Sequence, residues 1–221
     1  LRSRDVGFAR RSFAIASAFG LASVLSVILL GDESGYEIGE VQKVKLAAIE
    51  AEWDTHPAPA PFTLVGLPNQ EQQVTDYAVR IPWVLGLIAT RSLDEEVIGI
   101  KDLIDMNEAR IRNGMVAYDL LQELRNGNDT PATREAFSAV SNDLGYGLLL
   151  TRFTPNVSDA TEEQIKTAAR DTIPEVSPMF WTFRIMVAAG VIMLFTFAAA
   201  FYYTARRREY KTTWLLKLSV L

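Results

Sequence analysis

Residues 12–31, "SFAIASAFGLASVLSVILLG", carry no charge over 20 positions, and residues 185–205, "IMVAAGVIMLFTFAAAFYYTA", carry none over 21. At ~1.5 Å per helical residue, either run is long enough to cross a hydrocarbon layer of ~30 Å. Basic residues stand beyond the outer end of each: Arg2, Arg4, Arg10 and Arg11 before the first, Arg206, Arg207, Arg208 and Lys211 after the second. The bias of basic flanks towards the cytoplasm puts both ends inside, and two spans return the chain to the side it left.

The stretch between the runs is charged in the opposite sense. Residues 32–175 hold 12 basic and 25 acidic residues, a net of −13, while the two flanks together carry +8, so the overall −5 conceals a segregation. An acidic loop with scattered basic residues is a poor nucleic-acid surface. With no cysteine, neither disulfides nor thiolate metal ligands can order it. The expected fold is an all-α membrane protein whose transmembrane helices are joined by a large, mainly helical extracytoplasmic loop. The expected organisation is a cytoplasmic flank at 1–11, a span at 12–31, the loop at 32–175 and a span at 176–205. A cytoplasmic connection follows at 206–213, and the apolar run at 214–221 begins another transmembrane helix. The absent methionine and this final run read as an internal piece of a larger polytopic protein, inactive by itself. The opening residues do not resemble a signal peptide, whose apolar run is shorter and ends at a small-residue cleavage site.

Within the loop, residues 42–53 are strong helix formers. Pro57, Pro59, Pro61 and Pro68 exclude a helix from 54–68 and favour extended chain laid on another surface. "IPWVLGLIA" at 81–89 is apolar but too short to span, so it is buried in the loop or dips into the interface through Trp83. A helical pattern runs from Asp94 to about Asn126, where "NGND" stops it. Thr130 before Pro131 is a helix start, and Thr161 with Gln164 has capping-box spacing for a helix to about Arg170. Pro174 and Pro178 mark the return to the membrane. The glycosylation triplet at 156–158 has meaning only in a glycosylating secretory pathway.

Several side chains could carry chemistry. Asp32, Glu33, Glu37 and Glu40 crowd the outer end of the first span. They are either a solvated negative flank or carboxylates whose pKa is raised by a low-dielectric surface, and the charge statistics fit both. Lys45 and Glu50 are five apart, about 140° round an ideal helix, and so are poorly placed to neutralise each other. They are ordinary surface charges, or they meet two ends of one polar ligand. His56, the single histidine, has no expected role. Arg184, about one turn inside the second span, is costly there unless it pairs, snorkels or meets an anion. Met186 is packing material or an axial haem ligand.

The residues "GDESGYEIGEVQKVKLAAIEAEW", "RIPWVLGLIATRS", "ARIRNGM", "DLGYGLLLTRFTPNVSDAT" and "FRIMVAAG" stand in this order along the chain. In them the sequence resembles the large subunit, subunit I, of the bacterial cytochrome bd quinol oxidases, in the branch with a long quinol-binding loop. The resemblance covers essentially the whole chain and departs at Lys43, where the family pattern has proline. It implies a multi-pass protein of the bacterial inner membrane that oxidises quinol at the outer face and reduces dioxygen to water through two b haems and one d haem. It implies as partners the rest of subunit I, oxidase subunit II, small accessory subunits, quinol, dioxygen and lipid, with no nucleic acid. By motif match, Lys45 and Glu50 fall on positions for quinol oxidation, with Asp32 close by. Met186 falls on the axial ligand of the low-spin haem b iron and Arg184 on the arginine near that haem, whose histidine ligand would lie upstream of Leu1.

Topology alone also admits a two-span membrane sensor with a helical extracytoplasmic ligand-binding domain. Its second span should lead into an amphipathic signalling helix. "RRREYKTTWLLKLSVL" instead turns from a basic stretch into another apolar run. A purely structural scaffold would leave Arg184 and Met186 unexplained.

Overall fold

The computed structural model describes residues 3–206 together with Trp214 and Lys217. The connection expected at 206–213 and the further span expected at 214–221 lie, apart from Arg206, Trp214 and Lys217, outside the described residues. The chain forms two compact units. One gathers its ends, up to Glu37 and from Trp181 onward, and the other comprises Ile38–Phe180.

The first unit is built from two long helices, α1 (Ser3–Val41) and α8 (Val176–Ala205), each of which also continues into the second unit. Both are long and apolar enough to cross a membrane. They touch where Gly20 faces the ring of Phe197, so closely that a Cβ on Gly20 would lie 2.5 Å from the ring. Ser17 and Ala200 are buried, whereas Phe19, Leu29, Ile185 and Phe195 are exposed. A helix pair that hides its small residues and displays its large apolar ones is suited to a lipid surround.

In the second unit α2 (Lys43–Glu50) follows a single non-helical residue, Gln42. The helix expected to reach Trp53 stops at Glu50, because Ala51 takes a left-handed conformation (φ 52°) and its N–H folds back onto the carbonyls of Ala47 and Ala48. The chain then runs extended through the prolines into an antiparallel hairpin, β1 (Phe62–Asn69) and β2 (Val74–Ile81). This hairpin corrects the all-helical expectation. The prolines enforce extended backbone as anticipated, but the partner strand at 74–81 supplies a sheet. Thr75 holds it in place, donating its hydroxyl to Ala51 O at 3.0 Å and accepting from Trp53 Nε1 at 3.0 Å. The short helix α3 (Val84–Ala89) buries Leu85 and Ala89 beside Ala60 and Val97, while Trp83 stays exposed.

The central helix, α4 (Ile100–Arg125), begins six residues later than its sequence pattern suggests. The preceding segment is captured by an extended bridge between Val97 and His56. No side chain caps α4. Its first N–H groups, those of Ile100 and Lys101, donate instead to the carbonyls of Glu52 and Trp53 at 2.8 and 3.1 Å, which ties the end of α2 to the start of α4. Against α4 pack α5 (Pro131–Val140), α6 (Leu144–Gly147) and α7 (Glu162–Asp171). Ile111, Leu150, Val157, Ile165, Ala168 and Ala169 form the core between them. Thr130 caps α5 and Thr161 makes a complete capping box with Gln164, both as the sequence predicts.

Candidate functional site

A cavity of the second unit has a volume of about 950 Å³, within the range usual for sites that enclose small organic molecules. The start of α2 supplies Lys43 and Lys45, α4 supplies Leu103, Met106, Asn107 and Arg110, and the lining also includes Glu40, Asn142, Tyr146, Leu149 and Thr172. Lys43 and Lys45 are exposed and have no ion-pair partner among the described residues. Their charge is available to a ligand.

Arg110 and Tyr146, also in the lining, belong to a fixed polar cluster. Arg110 Nε donates to Asp143 Oδ1 at 2.7 Å and Nη1 donates to the Tyr146 hydroxyl at 3.1 Å, with the guanidinium carbon 4.1 Å from the centre of that ring. Asn113 Nδ2 donates to the other carboxylate oxygen of Asp143 at 3.2 Å. Burial alone would push the Asp143 carboxyl up, but the hydrogen bonds from Arg110 and Asn113, with the arginine charge, outweigh it and hold the group below the usual carboxylate range. Leu103, Met106 and Leu149 offer apolar contact in the same lining. The arrangement can take a flat, largely apolar molecule with oxygen atoms at its edge.

The sequence-predicted residues are divided. Lys45 is on the cavity wall. Glu50, on the same helix, is 4% exposed and does not line the cavity. Glu52 is off the helix and buried, its Oε2 2.9 Å from His56 Nε2 and its Oε1 accepting from Thr63 Oγ1 at 3.3 Å. Asp32 is exposed on α1, in the other unit. Arg184 and Met186 lie on α8 in that unit, and a two-residue step turns a helix by about 200°, so they occupy nearly opposite faces. Asn107, Arg110 and Tyr146 were not singled out by sequence reasoning. Arg110 and Tyr146 lie within the motifs "ARIRNGM" and "DLGYG", whose sequence alone gives neither residue a role.

For a haem, the residues present fit one side of a two-ligand site. Met186 is 61% exposed on α8, and its thioether is a soft donor of the kind that can hold a haem iron. His56 is in the other unit against Glu52. No trio of His, Cys, Asp or Glu able to hold a bare metal ion occurs among the described residues.

A family model described as "Cytochrome bd terminal oxidase subunit I" matches residues 1–221. The cytochrome bd-II ubiquinol oxidase subunit 1 of Escherichia coli (strain K12) is 44% identical over 220 residues, covering 100% of this chain and 43% of that protein. The cytochrome bd ubiquinol oxidase subunit 1 of Bacillus subtilis (strain 168) is 23% identical over 220 residues, 100% of this chain and 35% of its own length. A putative cytochrome bd menaquinol oxidase subunit I from the same bacterium is 29% identical over 99 residues, 45% of this chain and 22% of that protein. The chain thus spans less than half the length of the curated relatives it matches.

Proposed function

This chain belongs to the cytochrome bd terminal oxidase subunit I family, and from that premise we propose that it is the quinol-oxidising part of a bacterial respiratory oxidase that reduces dioxygen to water. The observation that carries the proposal is the 44% identity, over the whole chain, to a subunit named as a ubiquinol oxidase. Under this reading α1 and α8 cross the inner membrane and the 32–175 loop lies outside, as its acidity and the basic flanks favour. The sensor reading loses its ground, because it rested on topology alone.

The quinol headgroup sits in the cavity at the start of α2. Lys45 provides a positive donor to a ring oxygen, which stabilises negative charge as the quinol loses its protons. Leu103, Met106 and Leu149 cover the ring and exclude water. Glu50 and Asp32 are the carboxylates that hold and pass on protons, Glu50 from its buried place in the last turn of α2 and Asp32 from an exposed one. Met186 would hold a low-spin b haem through its thioether, and Arg184 would be the cation near that haem. When bound, the haems, two of type b and one of type d, supply the one-electron acceptors and the oxygen chemistry. The rest of subunit I, subunit II and small accessory subunits complete the enzyme.

The test is Lys45→Ala and Glu50→Ala in the complete oxidase. Each should lower quinol oxidation by roughly a hundredfold or more while the reduced-minus-oxidised haem spectrum keeps its shape. Unchanged quinol kinetics in both variants would refute the assignment.

A further inference from the structure

We infer that Asn107 accepts a hydrogen bond from a quinol hydroxyl and so makes the cavity discriminate the reduced ring from its oxidised product. The inference rests on the reading of this cavity as the quinol site.

Asn107 stands in α4 at 5% exposure and lines the cavity. The orientation of its amide follows from its neighbour. Thr172 Oγ1 donates its single proton to Ala169 O at 2.6 Å, so towards Asn107 it can only accept. The atom 2.8 Å from it must therefore be Nδ2, and the other amide atom is the carbonyl oxygen Oδ1. Oδ1 has no hydrogen-bond partner among the described residues, yet it is not sealed inside the protein as the unpartnered Thr204 hydroxyl is. An acceptor that keeps some accessible surface on a nearly buried residue of the cavity lining favours a ligand that brings a donor, since leaving it unpaired is costly.

The rest of the wall narrows the choice of donor. Leu103, Met106 and Leu149 suit an apolar ring, and Lys45 supplies only donors. A quinol has O–H groups that Oδ1 can accept. A quinone has only carbonyl oxygens, which would meet Oδ1 lone pair to lone pair. Lys45 can serve either form, whereas Asn107 Oδ1 and the exposed Glu40 carboxylate in the same lining are acceptors that favour the quinol; of these Asn107 is the buried and oriented one, and loss of its bond on oxidation helps to release the product.

The experiment uses the complete oxidase with a short-chain quinol as substrate and its quinone as inhibitor. Asn107→Leu should raise the quinol KM about tenfold, the worth of one hydrogen bond to a buried group, and leave the quinone Ki unchanged or lower. Asn107→Asp keeps an acceptor in place and should retain the preference for quinol, which makes the test independent of how well the leucine variant assembles. Thr172→Val removes the anchor and reports a merely structural role, for which both constants would move together. An unchanged ratio of quinol KM to quinone Ki in Asn107→Leu, or loss of the preference in Asn107→Asp, overturns the inference. If Lys45→Ala is impaired while that ratio stays fixed, the quinol reading stands and the role of Asn107 falls. If Lys45→Ala is unimpaired while the ratio shifts, the role of Lys45 falls and the Asn107 contact stands.

Discussion

Gly114 and Gly147 meet backbone to backbone: a Cβ added to either would come within 2.3 Å of a main-chain atom of the other. This contact brings α6 close enough to α4 for Arg110 to reach both Asp143 and Tyr146. Neither side can yield by turning a flexible side chain. Gly114→Ala should destabilise the complete oxidase by about 1–3 kcal/mol, the usual cost of overpacking, read as a lower temperature of thermal inactivation. Gly145, whose Cβ would meet nothing within 4 Å, provides the control, and Gly145→Ala should shift stability by no more than about 0.5 kcal/mol.

Met186→Leu preserves volume and hydrophobicity in α8 but removes the thioether. Loss of the low-spin b haem signal from the optical spectrum, with subunit assembly intact on a native gel, is the expected outcome. Retention of that signal would exclude Met186 as the ligand.

His56 makes stability depend on pH. Burial first, then the charge of Arg80, lower its pKa below 6.5, with Asp54 opposing, and Glu52 is the carboxylate 2.9 Å from its Nε2. Between its folded and unfolded pKa values the unfolded chain binds more protons, so stability falls as the pH drops through that window. The stability difference between the wild type and His56→Gln should be level above about pH 6.5 and move against the wild type below it. Thermal inactivation from pH 5 to 8 checks this, and a level difference throughout would contradict it.

Thr161→Ala removes a capping box in which Thr161 Oγ1 accepts from Gln164 N and Gln164 Oε1 accepts from Thr161 N. A loss of about 1 kcal/mol is expected, localised to α7 and visible as faster amide hydrogen exchange there. Thr161→Ser should restore most of the protection.

What the sequence shows plainly is what local chemistry decides. The two apolar runs, the Thr130–Pro131 start and the Thr161 box each depend on a few adjacent residues, and each appears where it was read. The hairpin is not legible in the sequence, because β2 is mostly solvent-facing and burial imposes no alternation on "VTDYAVRI". The late start of α4 has a non-local cause. Gly99 packs against the backbone of Asp54 and Thr55, where a Cβ would lie 2.3 Å from Asp54 C, and that docking holds 97–99 extended. Lys45 and Glu50 could be picked out by motif, but their separation into a cavity face and a buried face depends on which side of α2 turns inward. Asn107 becomes visible only through Thr172, 65 residues further along the chain.

Gln70, in the turn between β1 and β2, accepts the N–H of Val176, the first residue of α8, at 2.8 Å. The contact closes a loop of 106 residues. In kinetic terms that makes it a late event. The closure entropy rises by only about 0.6 kcal/mol for each doubling of loop length, and strand β2 and helices α3 to α7 lie in the chain between the two ends. The helices of this unit are therefore local and fast to form, whereas the seal between the hairpin and α8 waits on the slow search of the whole segment, and a ribosome must have delivered Val176 before that search can finish.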